Sequence, residues 1–204
     1  MKKIELLLNL SHMPEGHTGH LMPTPEIVNG LLDIYNNSPI NNILEFGFNT
    51  GWSSYIMLSY FPNVKISSIE IYKFDKAVKG TSIINEKFPK RFQIIWQDST
   101  KLYKEVLSKK IKLPFDKYDT AFIDGGHYPD IVNNDIKLSK LLGIKNFIFD
   151  DGDCPGIFPA IQKHSDLKLI KKYPYIPLRK INGKYFVKKN KGWPIALHHY
   201  QIKC

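Results

Sequence analysis

Five short runs of β-branched and aromatic residues, separated by stretches of helical spacing, restrict this chain to few architectures. The runs are "NNILEF", "VKISSIEI", "FQIIWQ", "YDTAFID" and "KNFIFD". Between them lie "WSSYIMLSYF", "FDKAVKGTSIINEKF", "STKLYKEVLSKK" and "PDIVNNDIKLSKLL". In the last of these, Ile131, Val132, Ile136 and the leucines from Leu138 to Leu142 recur at three-to-four spacing. Apolar residues so spaced cover one face of a helix. Alternation of strand and helix argues for an α/β protein with a parallel sheet covered on both faces.

The two ends differ from this pattern. Near the front, Thr24, Pro25 and Glu26 read as N-cap, first helical residue and first-turn acid of a helix that precedes the first strand. Near the back, Asn182-Gly183 stands between two strand-like runs, "YIPLRKI" and "KYFVKK". An Asn-Gly pair in that setting is the strongest short hairpin signal, so the sheet is expected to finish with an antiparallel pair. The expected organisation is a cap segment and helix over 1–38, one α/β domain over 39–190 and a tail over 191–204. A chain of 204 residues with 43% hydrophobic content suits one such core.

Two cysteines, Cys154 and Cys204, make no disulfide framework. The opening "MKKIELLLNLSHMP" has a short apolar stretch interrupted by Glu5 and lacks a small-residue cleavage site. No apolar run has the length of a membrane helix, and a cytoplasmic protein without membrane contact is expected. The net charge of +10 lies entirely in the last segment, where Lys163 to Cys204 holds 11 Lys and Arg against one acid, Asp166. Such a segment is either a polyanion-binding surface or a solvated sheet edge guarded by lysine. Strand-like apolar residues interrupt the lysines, and no nucleic-acid motif stands beside them, which favours the edge.

The first strand-like run passes into "GFNTGWSS", with Gly47 and Gly51 four residues apart. In doubly wound sheets a ligand binds beyond the carboxyl ends of the strands, where the strand order reverses. Two glycines there allow a tight turn and a close approach of backbone to ligand. The later runs end in acids: Glu70, Asp98 with Ser99 behind it, Asp124, and Asp150-Asp151. Any one of them could be a helix N-cap. Together they would line one rim of the sheet, and Glu70 stands at the distance from the glycine turn that suits a ribose-binding acid.

With "LEFGFNTGWSS", "SSIEI", "IIWQDS" and "AFIDGGH", the chain from about Ile40 to Val187 resembles the class I S-adenosylmethionine-dependent methyltransferases. "FIDGGHYPDIVNND" and "FIFDDGD" most resemble the small-molecule O-methyltransferases, a group that includes metal-dependent sugar methyltransferases. The resemblance implies a doubly wound, mostly parallel, seven-stranded Rossmann-like sheet with an antiparallel C-terminal hairpin. It implies S-adenosylmethionine as cofactor, with Glu45, Gly47, Asn49 and Gly51 shaping the loop around its methionine part. Trp52 and Ser53 would start the helix beside it. Glu70 would hold the ribose hydroxyls, Asp98 and Ser99 would lie near the adenine, and Asp124 would sit between cofactor and acceptor. The family usually has Gly where Asn49 stands and often Gly where Gln97 stands.

Methyl transfer from a sulfonium needs an acceptor placed in line and relieved of a proton. His127, in "DGGH" behind Asp124, is the candidate base; otherwise it caps the helix that begins near Pro129. Asp124, Asp150 and Asp151 form a hard oxygen set suited to Mg²⁺, which would bind acceptor hydroxyls. Otherwise they are one hydrogen-bonded buried acid and one cap. His12, His17, His20, His198 and His199 lack cysteine partners at zinc spacing, and "HTGH" is a candidate lid segment. The leading expectation is O-methylation of a small hydroxylated, sugar-like acceptor. The rivals are a nucleic-acid methyltransferase using the basic segment and a non-catalytic cofactor-binding module.

Overall fold

A computed structural model describes residues 8, 11–15, 21–175, 178–181, 184–187 and 195–203, with backbone alone for 178–187. Its elements in chain order are α1 (Pro25–Asn37), β1 (Asn42–Phe46), α2 (Trp52–Tyr60), β2 (Lys65–Glu70), α3 (Asp75–Lys87), β3 (Phe92–Trp96) and α4 (Ser99–Leu107). They continue with β4 (Thr120–Ile123), α5 (Pro129–Leu141), β5 (Asn146–Phe149), α6 (Phe158–Gln162), β6 (Leu167–Pro174), β7 (Leu178–Ile181), β8 (Lys184–Val187) and β9 (Ala196–Ile202). The main sheet has seven strands in the order β3-β2-β1-β4-β5-β9-β6. The pairs among β1 to β5 are parallel, and β9 runs antiparallel to both of its neighbours. Chain order reverses between β1 and β4, which makes the gap beyond their carboxyl ends the switch point.

Strand alternation sorts the core into two layers. Ile43, Ile66, Phe122 and Ile148 pack with residues of α1, α2 and α3 on one face. Leu44, Phe46, Ala121, Ile123, Phe147 and Phe149 pack with α4, α5 and α6 on the other. The central strands are buried on both faces and therefore read as nearly continuous apolar runs. α2 is buried from Trp52 through Leu58, so it shows no polar stripe. Two of those buried residues, Ser53 and Ser54, hydrogen-bond the buried Glu45 of β1.

The sheet does finish in an antiparallel pair, and that pair is β6 with β9. The runs flanking Asn182-Gly183 do pair antiparallel, but as a separate two-stranded sheet, β7 with β8. The turn residues themselves lie outside the described residues, as do His17, His20 and Cys204. Residues 196–202, expected as tail, are instead a strand inside the main sheet. "ALHHYQI" carries the signal, with its first five residues buried. Histidines and a glutamine obscure the apolar pattern there. Thr24 occupies the N-cap position of α1, but its hydroxyl makes no capping hydrogen bond and is buried without a partner.

β6 forms one edge of the sheet, and most of its side chains are exposed. Two of its lysines are engaged within the fold, Lys171 with Asp33 at 2.8 Å and Lys172 with Asp153 at 2.5 Å. Among the described residues, no helix is long and apolar enough to cross a membrane.

Gly47 has φ +88°, and a Cβ there would lie 2.7 Å from Cα of Gly125. The conformation and the close approach both exclude a side chain. Gly47→Ala is expected to lower stability by roughly 2–3 kcal/mol. Urea unfolding checks this; a change below about 0.5 kcal/mol would show that the turn tolerates a side chain.

Candidate active site

The strand ends open into one cavity of about 870 Å³. Gly47, Asn49, Trp52, Ser53, Glu70, Asp98, Ser99, Asp124, His127, Asp150 and Asp151 all line it. Of the residues singled out in the sequence, Glu45 and Gly51 stand behind its wall. Gly51 caps α2 at φ +85°, where a Cβ would meet Cδ1 of Ile84 at 2.6 Å. Glu45 is fully buried and accepts hydrogen bonds from the hydroxyls of Ser53, Ser54 and Ser68. Burial pushes its pKa up, against the pull of those three hydroxyls.

The glycine-turn loop is tied to the next strand end. The backbone N–H of Asn49 donates to one oxygen of Glu70 at 2.7 Å, and that of Tyr72 to the other at 3.1 Å. Asn49 adopts φ +51°, in the left-handed region. Its short polar side chain tolerates the left-handed region. Trp52 closes the other side of the loop by donating from its indole nitrogen to the carbonyl of Pro14 at 2.8 Å.

Asp98 is the N-cap of α4. One carboxylate oxygen accepts from the N–H and the hydroxyl of Thr100, both at 2.7 Å. The hydroxyl bond of Thr100 is the main cause of its lowered pKa. The cap role therefore holds, and Asp98 lines the cavity as well.

At the floor, Asp124 and Asp150 hydrogen-bond each other, and the Tyr175 hydroxyl donates to Asp150. Burial drives the Asp124 pKa well up, and the nearby charges of Asp150 and Asp151 add to it. Burial, with Asp151 beside it, pushes Asp150 to about 7. Two acids placed so close raise each other's pKa, because neither is ionised cheaply beside the other. Among the described residues, no three His, Cys, Asp or Glu side chains converge as a metal-holding group. Asp124 and Asp150 satisfy each other and Tyr175 instead, so as placed the three aspartates do not fit the expected Mg²⁺ site.

His127 lines the cavity at the loop after β4, with Nδ1 4.0 Å from the Sγ of Cys154. Its loop and the turn after β5 touch closely, since a Cβ on Gly156 would overlap the carbonyl of His127. A second contact braces that turn: His198 Nε2 lies 3.0 Å from Asp153.

Two site residues carry weak signals in the sequence. Tyr175 reads as the start of a hairpin strand. Asp135 is hidden in the polar part of "PDIVNNDIKL", where an acid reads as solvated. It is 1% exposed, and its Oδ1 has no hydrogen-bond partner. Burial raises its pKa to about 7, opposed by a hydrogen bond from Ser99 and aided by the charge of Asp98.

No family model matches the chain, and no curated protein matches it. Solved structures do. An O-methyltransferase from Bacillus cereus, in complex with SAH, superposes with a TM-score of 0.63 at 13% identity, covering 88% of this chain and 82% of that one. The O-methyltransferase TomG from Streptomyces achromogenes, in complex with SAM, gives 0.59 at 15% identity, with 89% and 81% covered. A precorrin 8W decarboxylase from Methanobacterium thermoautotrophicum gives 0.60 at 12% identity, with 94% and 97% covered. The chain thus has the class I S-adenosylmethionine-dependent methyltransferase fold. At these identities the likeness establishes the fold alone.

A folded-state pKa near 7 at Asp135 lies above the unfolded value, so its neutral form favours folding at low pH. That advantage is lost as pH rises from about 4 through about 7. Asp135→Asn is therefore expected to match the parent near pH 4 and to gain on it up to pH 8, by roughly 2–4 kcal/mol. Urea unfolding of both proteins across that range checks the sign; a gap independent of pH would mean that Asp135 keeps an ordinary pKa.

Proposed function

We propose that the protein is an S-adenosylmethionine-dependent methyltransferase acting on a hydroxyl of a small acceptor. One observation carries this reading. Glu70, at the end of β2, is held by the N–H of Asn49 from the glycine turn and faces the same cavity as Asp98 at the end of β3. That spacing suits a methionine moiety over the turn, a ribose at Glu70 and a base beyond it. Trp52 and Ser53 then stand beside the methionine part, with Glu45 and Gly51 holding the loop from behind.

On this reading the acceptor lies over Asp124 and His127. His127 takes the hydroxyl proton as the oxygen attacks the methyl group. The pair of Asp124 and Asp150 orients the acceptor by hydrogen bonding. Acids line the cavity, and no Lys or Arg does so among the described residues. An acidic wall repels phosphate, which supports a small neutral or cationic acceptor over a nucleic acid. The engagement of Lys171 and Lys172 within the fold supports the same choice.

Calorimetric titration of S-adenosylhomocysteine tests the cofactor class, with a Kd in the micromolar range expected. Absence of heat and of thermal shift would end the methyltransferase reading. Glu70→Ala is expected to weaken that binding by roughly 10–100-fold, through loss of charged hydrogen bonds to the ribose. Unchanged affinity would remove Glu70 from the site. His127→Ala is expected to leave that affinity within about twofold and to slow methylation by roughly 10²–10⁴-fold. Mg²⁺ is not needed on this reading, so EDTA should leave turnover intact. Its loss, restored by Mg²⁺, would return Asp124 and Asp150 to the role of metal ligands.

A further inference from the structure

The turn after β5 touches the cavity loop on one side and the sheet on the other. It carries Asp151 at φ +53°, then Gly152, Asp153, Cys154 and Gly156. On one side it seats the His127 loop. Cys154 Sγ lies 4.0 Å from His127 Nδ1, and a Cβ on Gly156 would lie 1.8 Å from the His127 carbonyl oxygen. On the other side it rests on β9. His198 is fully buried, its ring packs on the backbone of Gly152, and its Nε2 lies 3.0 Å from Oδ2 of Asp153. The other oxygen of Asp153 takes the ammonium of Lys172. Nδ1 of His198 is buried without a hydrogen-bond partner.

That bare nitrogen fixes the state of the ring. A neutral imidazole carries one proton, and here Nε2 donates it to Asp153. A second proton would put an N–H at Nδ1, where nothing accepts it and a buried charge is costly. Asp153 on the turn, Lys172 on β6 and Tyr200 on β9 are the titratable groups that face the ring. Phe149, paired with His198 on β5, and α6 bring no charge. Burial lowers the pKa of His198, against the pull of Asp153.

We propose that His198 is a positioning residue, which through Asp153 holds the turn after β5 against His127 and whose protonation releases that turn. Its part in catalysis rests on the reading of His127 as the base. Release removes the seat of His127, so acid would switch off proton transfer from a residue outside the cavity. The folded protein favours neutral His198. The hold is therefore complete above the ordinary histidine value of about 6.5 and is lost as pH falls below it, towards the lower folded-state value.

Cys154 reports on the turn, because its thiol is buried there. The test uses the full chain with Cys204→Ser, and labels Cys154 with a pyridyl disulfide from pH 8 down to pH 5. Each rate is divided by that of the urea-unfolded protein at the same pH, and circular dichroism checks that the chain stays folded. Protection is expected to fall by at least about tenfold on acidification, the value of one charged hydrogen bond. His198→Gln keeps an N–H donor for Asp153 and cannot titrate, so its protection should stay high and lose most of that fall. His198→Ala should be poorly protected at every pH. Lys172→Gln, at a partly exposed side chain, should move the fall to higher pH, since it removes a positive charge that opposes another on His198. Titration of His127 itself would act alike in the parent and in His198→Gln, so their difference isolates His198. Constant protection in the parent, or the same fall in the parent and His198→Gln, would overturn the inference while leaving the methyltransferase reading intact. Failure of the parent to bind S-adenosylhomocysteine at pH 8 would instead overturn the catalytic role of the turn, whatever the labelling shows.

Discussion

A single buried carboxylate fixes the geometry on which the cavity depends. Glu45 lies at the centre of the sheet, on β1, with hydroxyls from two residues of α2 and one of β2 directed at it. A carboxylate without water is tolerated only when its oxygens are fully bonded. The three serines meet that demand, and in doing so they lock the start of α2 to the end of β1. The loop between them, Gly47 to Gly51, has both anchors set before any ligand arrives. Its backbone can then turn through left-handed conformations at Gly47, Asn49 and Gly51 without losing position.

From that loop the site extends by successive hydrogen bonds. Asn49 is tied to Glu70, Asp98 to Thr100, Asp124 to Asp150, and Asp150 to Tyr175. The protein carries a net charge of +10, yet its cavity is walled with acids. Basic and acidic groups are separated by topology: lysines stud the late strands at one edge, and carboxylates gather at the strand ends near the switch point. Burial and neighbouring charge of the same sign raise the pKa values of Asp124, Asp135 and Asp150, and a cavity so lined favours ligands that bring positive charge or hydrogen-bond donors.

The fold was largely legible in the residues because parallel strands buried on both faces need unbroken apolar runs, and helical crossovers need amphipathic ones. The runs from "NNILEF" to "KNFIFD" appear as β1 to β5, and the stretches between them as α2 to α5. In the sequence β9 reads as tail because His198 and His199 look polar, although both are buried in the sheet. Asn182-Gly183 marked a real pair of strands, but a hairpin signal is local and does not say which sheet its strands join. The pairing of β6 with β9 joins runs far apart in sequence, which no local pattern encodes.

The candidate site divides in the same way. Sequence alone determined that acids close the strands and that glycines open the first turn, because strand ends and tight turns are local features of the chain. Tertiary structure decided what each acid does. Packing turned Glu45 inward as a structural anchor, paired Asp124 with Asp150, and set Asp135 in the wall of the cavity with one oxygen unsatisfied. The reason is physical. A carboxyl's role follows from its burial and its partners, and both are set by which strands and helices come together in space, whereas the residue type shows only that a charge is available.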